Sequence, residues 1–184
     1  MKVLISQILG IVVSVICLIS PQLKKKWQMT AMTLLANFLS GLSFLLLGEV
    51  SACGVNIVAI LHSVITIHHT NRGKKPSKLE VAFFALLYIL GGIFPFLMMG
   101  TLASFTWLDT MPIFAALLFC GYMVQRNEQK MRMFSLANCT VFAIYDIIIQ
   151  STQVFAQIIG MISVITALIR YRKGKGLRIQ AKKQ

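Results

Sequence analysis

The sequence is short of charge, and above all of acidic residues. Only 12% of its 184 residues are charged, and Asp and Glu together number 5 against 18 Lys and Arg. An average soluble domain carries about 25% charged residues. So few charges cannot cover a surface that faces water, and the composition therefore excludes an ordinary soluble domain. The chain is instead 57% hydrophobic, and its apolar runs have the length of about 20 residues that crosses a bilayer core.

Cysteines and catalytic motifs are also few. The four cysteines lie within apolar runs and form no C-x-x-C pair. This pattern is typical of cysteines that pack as small buried apolar residues rather than of metal or redox sites. His62 and His69 are too far apart on one helix to share a metal ion. The sequence has no P-loop, no G-x-G-x-x-G, no H-E-x-x-H and no G-x-S-x-G motif. We therefore predict no enzymatic activity, no metal site and no cofactor.

The apolar runs predict seven transmembrane helices. Pro21 ends the first helix, because proline lacks the amide hydrogen that a continuing helix needs. Gly91, Gly92 and Pro95 lie inside the fourth helix, where they are tolerated if neighbouring helices cover the freed backbone groups. The predicted helices span residues 3–20, 29–47, 51–68, 79–99, 107–124, 131–149 and 152–169.

Lysine and arginine are confined to every second loop. Apart from Lys2 they occur within residues 24–26, 72–78, 126–132 and 170–183, and the loops between contain none. Because basic loops remain in the cytoplasm, we predict an amino terminus outside and a carboxyl terminus inside. The net charge of +13 then reflects topology and predicts no nucleic-acid partner, while the basic tail is expected to contact anionic lipid.

Short matches at a constant spacing indicate an internal repeat. Residues 35–37 (Leu-Ala-Asn) recur as residues 136–138, and residues 63–66 (Ser-Val-Ile-Thr) recur as residues 163–166, at offsets of 101 and 100 residues. Three spans are an odd number, so a fourth helix is needed to give both copies the same orientation. We predict a 3+1+3 all-α membrane fold with parallel repeats. Its parts are a first bundle (1–70), a loop and linker helix (71–101), a second bundle (102–171) and a basic tail (172–184).

Several short motifs resemble a known family. They are Ser6-Gln7-Ile8-Leu9-Gly10, the lysine loop 24–26, Phe44-Leu45-Leu46-Leu47-Gly48, and the pair Asn56 and Thr66. On these residues the chain resembles the bacterial inner-membrane YgjV-like family, and its layout is similar to that of SWEET, SemiSWEET and PQ-loop transporters. The resemblance implies a multi-pass protein of the bacterial inner membrane. Similarity to SWEETs would imply facilitated transport of a sugar or similar solute, and similarity to PQ-loop proteins would allow an amino acid.

Pro21 is a candidate hinge on the same resemblance. Pro21-Gln22 reads like the PQ signature, but the repeat counterpart is Val124-Gln125, which lacks the second proline. Symmetric rocking about paired prolines is therefore in doubt. The alternative is that Pro21 only ends its helix.

Polar residues within the predicted spans are the candidate binding residues, because such groups are costly in hydrocarbon and often line a path or pack between helices. Thr33, Asn37 and Ser40 share one face of helix two. Stripes of small and polar residues also run along helix three (Ala52, Asn56, Ala59, Ser63, Thr66) and helix seven (Gln153, Ala156, Gly160, Ser163, Ala167, with Gln157 beside it). An amide has donors and an acceptor to satisfy. We predict that the amides bind a neutral polyhydroxylated solute, or else hydrogen-bond between helices: Asn37, Asn56, Asn138 and Gln157.

Three further residues complete the predicted site. Asp146 is the only acidic residue well inside a predicted span, about one turn from the outer end of helix six and beside Tyr145. It is interpreted either as a proton or cation site or as a side chain that reaches the outer interface. His62 lies in the middle of helix three and is a candidate hydrogen-bonding residue of the pocket.

The sequence favours a small-solute transporter, passive or proton-coupled, that works by alternating access between two three-helix bundles. The alternative is a non-transporting scaffold or partner subunit that uses its small-residue stripes for helix association. The expected partners are a small solute and the lipid bilayer, and a homo-oligomer is left open.

Overall fold

The computed structural model of the chain describes residues 2–74 and 76–181, with side chains for residues 2–74, 76–101 and 103–171. The predicted basic tail (172–184) and its contact with anionic lipid lie outside the described side chains. Over the described residues the structure consists of helices and connecting turns. The α-helices are α1 (Lys2–Ile19), α2 (Lys26–Leu47), α3 (Val50–Asn71), α4 (Lys78–Met98), α5 (Trp107–Val124), α6 (Glu128–Ile148) and α7 (Gln153–Ala181).

Seven helices in the described chain are long and apolar enough to cross a membrane, which confirms the predicted number of spans. The largest differences at the amino-terminal ends are in α2 and α6, which begin at Lys26 and Glu128 rather than three residues later. Asn127 explains the second difference, because its side chain accepts a hydrogen bond from the Gln129 amide at 2.9 Å and so caps α6. Hydrophobic runs alone do not extend into such polar first turns.

Six helices form a closed ring, and α4 packs against its outside. Around the ring, α1 contacts α2, α2 contacts α3, α3 contacts α5, α5 contacts α6, α6 contacts α7, and α7 returns to α1. The remaining helix, α4, packs on α3 and α5. The largest apolar core lies where α2, α3, α4, α5 and α6 meet, and includes Met29, Val55, Tyr88, Phe119 and Met131.

The contact between α3 and α4 depends on paired glycines. Pro95 has no amide hydrogen, so it cannot bond to the Gly91 carbonyl one turn earlier in α4. Gly54 of α3 lies against this carbonyl so closely that a methyl group on Gly54 would overlap it. The freed backbone group is thereby covered by a neighbouring helix, as predicted for this proline. Small residues at such crossings allow two backbones to approach.

Candidate functional site

A cavity of about 100 Å³ lies inside the ring. An engineered apolar cavity of about 150 Å³ in another protein binds benzene, so this one is near the size of a single small molecule. All six ring helices contribute to its wall, and the turn after α1 contributes Ser20 and Pro21. The polar lining residues of the helices are Thr33, Asn37, Ser40, Asn56, Tyr122, Ser135, Asn138, Gln153 and Gln157. A second cavity of about 30 Å³ is also lined by Asn37, Asn56 and Asn138.

The four predicted amides all line this cavity. Asn138 donates to the Ala115 carbonyl of α5 at 2.7 Å, and Asn56 donates to the Ala52 carbonyl of its own helix at 2.7 Å. The side-chain nitrogen of Asn37 is buried but has no partner among the described residues. A buried amide donor without a partner costs free energy, so Asn37 offers a solute an unused hydrogen-bond donor.

Aromatic side chains form another part of the wall, beside aliphatic and small residues. The Phe119 ring stacks on the Tyr122 ring with centroids 5.6 Å apart, and the Tyr122 hydroxyl lies 3.4 Å from the Thr33 hydroxyl. Phe44 and Phe142 also line the cavity. Sequence reasoning missed these four aromatic residues, because an aromatic residue in an apolar run gives no sign of which way it faces. A mostly apolar wall with a few convergent polar groups is the usual composition of a small-molecule site.

The structure places His62 away from the lining residues of the central cavity. Its ring stacks on Phe84 of α4 with centroids 4.0 Å apart, and Nδ1 lies 3.2 Å from the Tyr88 hydroxyl. Its side chain is 2% exposed. These contacts bind α3 to α4, so His62 hydrogen-bonds between helices and not into the cavity.

Tyr145 and Asp146 are also absent from the lining residues of both cavities. The Tyr145 hydroxyl donates to Glu49 Oε2 at 2.8 Å, which joins the end of α6 to the turn between α2 and α3. Asp146 is 0% exposed. The suggestion that its side chain reaches the outer interface is therefore wrong, because neighbouring side chains enclose it.

Two basic side chains cross the ring at the end that holds the α1–α2 and α5–α6 turns, here called the basic end. Lys26, the first residue of α2, donates from Nζ to the carbonyls of Met123 and Gln125 at the end of α5, at 2.8 and 2.9 Å. Cations stabilise the exposed carbonyls of a helix carboxyl end. This contact ties α2 to α5.

Arg132 makes the corresponding contact from α6. Its Nε and Nη2 donate to the Pro21 and Leu23 carbonyls, each at 3.0 Å, and its guanidinium lies 4.4 Å from the centre of the Tyr171 ring. The Arg132 side chain is only 2% exposed. The sequence pattern counted Arg132 with the basic residues that follow helix five, and charge counting could not detect that its side chain is buried.

The candidate hinge Pro21 lies in a 3₁₀ turn, Ser20–Gln22, where it is buried and lines the cavity. Its carbonyl accepts the hydrogen bond from Arg132. The next residue, Gln22, donates from Nε2 to the Ser163 carbonyl and hydroxyl, each at 3.0 Å. The Pro-Gln turn thus joins α1 to both α6 and α7, while its action as a hinge stays a prediction.

Sequence comparison identifies the family. The Imp-YgjV family, described as a bacterial inner membrane protein, matches residues 4–175. The chain belongs to this family. The predicted YgjV-like resemblance is thereby confirmed, and the seven apolar helices agree with a multi-pass protein of the bacterial inner membrane. No curated protein and no solved structure shows significant similarity to the chain.

The Imp-YgjV match includes every residue that lines either cavity. The two contacts at the basic end, made by Lys26 and Arg132, lie within it as well. The cavity and its surrounding ring therefore belong to the Imp-YgjV region of the chain.

Proposed function

We propose that the protein transports a small neutral polar solute, which binds in the central cavity between two three-helix bundles, α1–α3 and α5–α7. One observation carries the proposal. Asn138 follows Asn37 by 101 residues, Gln157 follows Asn56 by the same 101 residues, and all four line the same cavity. A repeat that places equivalent amides on opposite sides of a shared space is a natural arrangement for a solute site at a repeat interface.

The helix contacts support a two-bundle organisation. If α1, α2 and α3 are superposed in order on α5, α6 and α7, two contacts of the ring become equivalent. The contact of α1 with α7 then corresponds to the contact of α5 with α3. The pairs α1–α2 and α2–α3 likewise correspond to α5–α6 and α6–α7. A pseudo-twofold axis through the cavity accounts for all these contacts, with α4 as the linker. In this proposal the layout is SWEET-like, 3+1+3, and the alternation of basic loops supports an amino terminus outside and a basic end in the cytoplasm.

The cavity lining supports a neutral solute. Among its described lining residues none is Lys, Arg, His, Asp or Glu. A charged solute would have to move from water into a cavity that offers it no opposite charge, which is costly in a low-dielectric interior. Amides and hydroxyls can both donate and accept hydrogen bonds, so they suit the hydroxyl or amide groups of an uncharged metabolite.

The contacts at the two ends support alternating access. At the basic end, Lys26 and Arg132 each join one bundle to the other. At the opposite end, Tyr145 joins α6 to Glu49, and the Ser51 hydroxyl donates to the Asp109 carbonyl at 3.1 Å. In this proposal rocking of the bundles breaks one set of contacts while the other holds.

The test is a thermal-shift screen of the purified protein against neutral sugars, polyols, amides and amino acids, followed by uptake in proteoliposomes. A solute that binds the folded state raises its stability. We expect at least one neutral compound to stabilise the protein and to be taken up.

Asn56→Ala and Gln157→Ala should abolish this uptake without loss of expression, whereas Gln7→Ala, which removes an exposed amide on α1, should not. Unchanged uptake in both cavity variants would remove these amides from the site. A screen in which only charged compounds, or no compound, stabilise the protein would contradict the proposal and favour a non-transporting scaffold.

A further inference from the structure

Asp146 is the one buried acidic side chain among the described residues, and its carboxyl group lacks hydrogen bonds. It is 0% exposed, and neither oxygen has a hydrogen-bond partner. In the described part of the chain, the contact within salt-bridge distance is between His69 Nδ1 and Glu80 Oε1, at 3.2 Å, and it does not involve Asp146. Gln153 at the start of α7 is also 0% exposed, and both of its amide atoms lack partners.

The groups around Asp146 connect it to the cavity. The side chains of Ser151 and Gln157 lie beside the carboxyl group, and Gln157 also lines the cavity. The titratable groups that interact with it are Cys139 and Tyr145, both on α6. From α7 and the turn before it the neighbours are neutral.

Two further acidic groups lie around Tyr145, the neighbour of Asp146 on α6. Glu49 accepts the hydrogen bond of the Tyr145 hydroxyl, and Asp109 of α5 also lies near Tyr145. Both of these groups are acidic, so none of the described groups that act on Asp146 or Tyr145 supplies a positive charge to the Asp146 carboxylate.

An ionised carboxylate in such a place would be buried without a counter-charge, which costs far more than burying the neutral acid. We infer that Asp146 is a reversible proton-binding site. The protonated acid can donate to an oxygen of Ser151 or Gln157, which the carboxylate cannot do. A proton also fits the packing better than a metal ion, because Asp146 lines neither described cavity and a metal needs several ligands around an open space.

The protonation state of Asp146 sets the orientation of Gln157. A protonated Asp146 donates to the Gln157 oxygen, so the Gln157 NH₂ group is free to donate into the cavity. An ionised Asp146 accepts from that NH₂ group, so the Gln157 oxygen faces the cavity as an acceptor. Proton binding would thereby change the hydrogen-bonding character of the solute site. This second step rests on the proposed function, whereas proton binding itself does not.

Infrared spectroscopy of the full-length protein in liposomes tests proton binding directly, with the proton as the only probe. The chain has 5 carboxylic side chains, so a carbonyl band from a buried protonated acid can be assigned by substitution. We expect a carboxylic acid band at neutral pH that disappears reversibly at alkaline pH. Asp146→Asn should remove it, and the matched variant Asp109→Asn should leave it intact.

A spectrum without this band, or a band that survives in Asp146→Asn, would overturn the inference. A band that sodium ions abolish at constant pH would also overturn it, in favour of a cation site. If Asp146→Asn fails to fold, Gln157→Leu provides the second test, because loss of the hydrogen bond proposed between Asp146 and Gln157 must shift the band frequency. An unshifted band would mean that Asp146 does not bond to Gln157 and is therefore not linked to the cavity.

Uptake of the solute found in the screen tests the coupling. An inward proton gradient should drive its accumulation in wild-type proteoliposomes, while Asp146→Asn should only equilibrate it. Uptake that does not depend on the proton gradient would overturn the coupling of solute to protons, but it would not contradict the transporter proposal. A screen without any solute would overturn the transporter proposal, while the infrared result would still decide proton binding.

Discussion

Lys26 and Arg132 make reciprocal contacts across the ring. Lys26 of α2 binds carbonyls at the end of α5, and Arg132 of α6 binds carbonyls just after the end of α1. Each side chain therefore stabilises a helix end in the other half of the ring. Both are cations placed against carbonyl oxygens, so both contacts have the same electrostatic basis.

Replacement of Arg132 by Met should open the basic end. It leaves the Pro21 and Leu23 carbonyls without their donor, at a cost of about 1–3 kcal/mol for each group that stays buried. Cys17 and Cys139 line the cavity and report on access. With Cys53 and Cys120 changed to Ala, a polar maleimide added to inside-out vesicles should label Arg132→Met several-fold faster than the parent.

Arg126→Met is the matched control for this experiment. Arg126 is exposed, and its described contact is one long hydrogen bond of 3.4 Å to the Gly73 carbonyl. Its labelling rate should equal that of the parent. Equal rates in the Arg132 variant as well would mean that the Arg132 contact does not control access to the cavity.

Replacement of His62 by Ala should destabilise the protein without weakening solute binding. The variant loses the stacking on Phe84 and the hydrogen bond to Tyr88, which together are worth about 1–3 kcal/mol. Thermal unfolding measures the first effect, and the stabilisation by a saturating solute measures the second. His68→Ala, at an exposed position, should change neither. If His62→Ala lost solute binding while its thermal stability stayed unchanged, His62 would have to be part of the solute site.

A methyl group at Gly54 should loosen the contact between α3 and α4. It would overlap the Gly91 carbonyl oxygen, which is backbone and cannot rotate away, and such overpacking costs about 1–3 kcal/mol. Gly160→Ala is the control, because its methyl group would meet Cys139 and Cys17 at an ordinary 3.5 Å. The melting temperature should fall for Gly54→Ala and remain close to wild type for Gly160→Ala. Equal melting temperatures for both would contradict the close α3–α4 contact.

A reporter at the carboxyl terminus tests the topology. Alternation of basic loops predicts that the terminus after Gln184 is cytoplasmic, so a fluorescent-protein fusion should be active and an alkaline-phosphatase fusion inactive. The opposite result would mean that the basic end, with its Lys26 and Arg132 contacts, lies on the outer side of the membrane and not in the cytoplasm.

The sequence predicted the number of helices and much of the cavity for clear physical reasons. Apolar length is imposed by the bilayer, so seven spans follow from seven runs. Amides are costly in hydrocarbon, so the sequence predicts that Asn37, Asn56, Asn138 and Gln157 bind a solute or hydrogen-bond between helices, and the structure places all four in the cavity wall.

Other features could not be read from the sequence, because they depend on which helices are neighbours. Arg132 has the same residue type and the same place beside a basic loop whether it meets water or the Pro21 carbonyl. Phe119 and Tyr122 are ordinary members of an apolar run until α5 is placed beside α2 and α6. His62 was predicted as a pocket residue because the sequence did not show that α4 would cover it.

The central claim is that matched amides from the two halves of the ring bind one solute. Calorimetric affinity for the solute from the screen, measured in Asn37→Ala, Asn138→Ala and the exposed-amide control Gln7→Ala, tests it most directly. Each cavity variant should bind about five- to tenfold more weakly, as expected for the loss of one hydrogen bond, and the control should match wild type. Wild-type affinity in both cavity variants would contradict the claim.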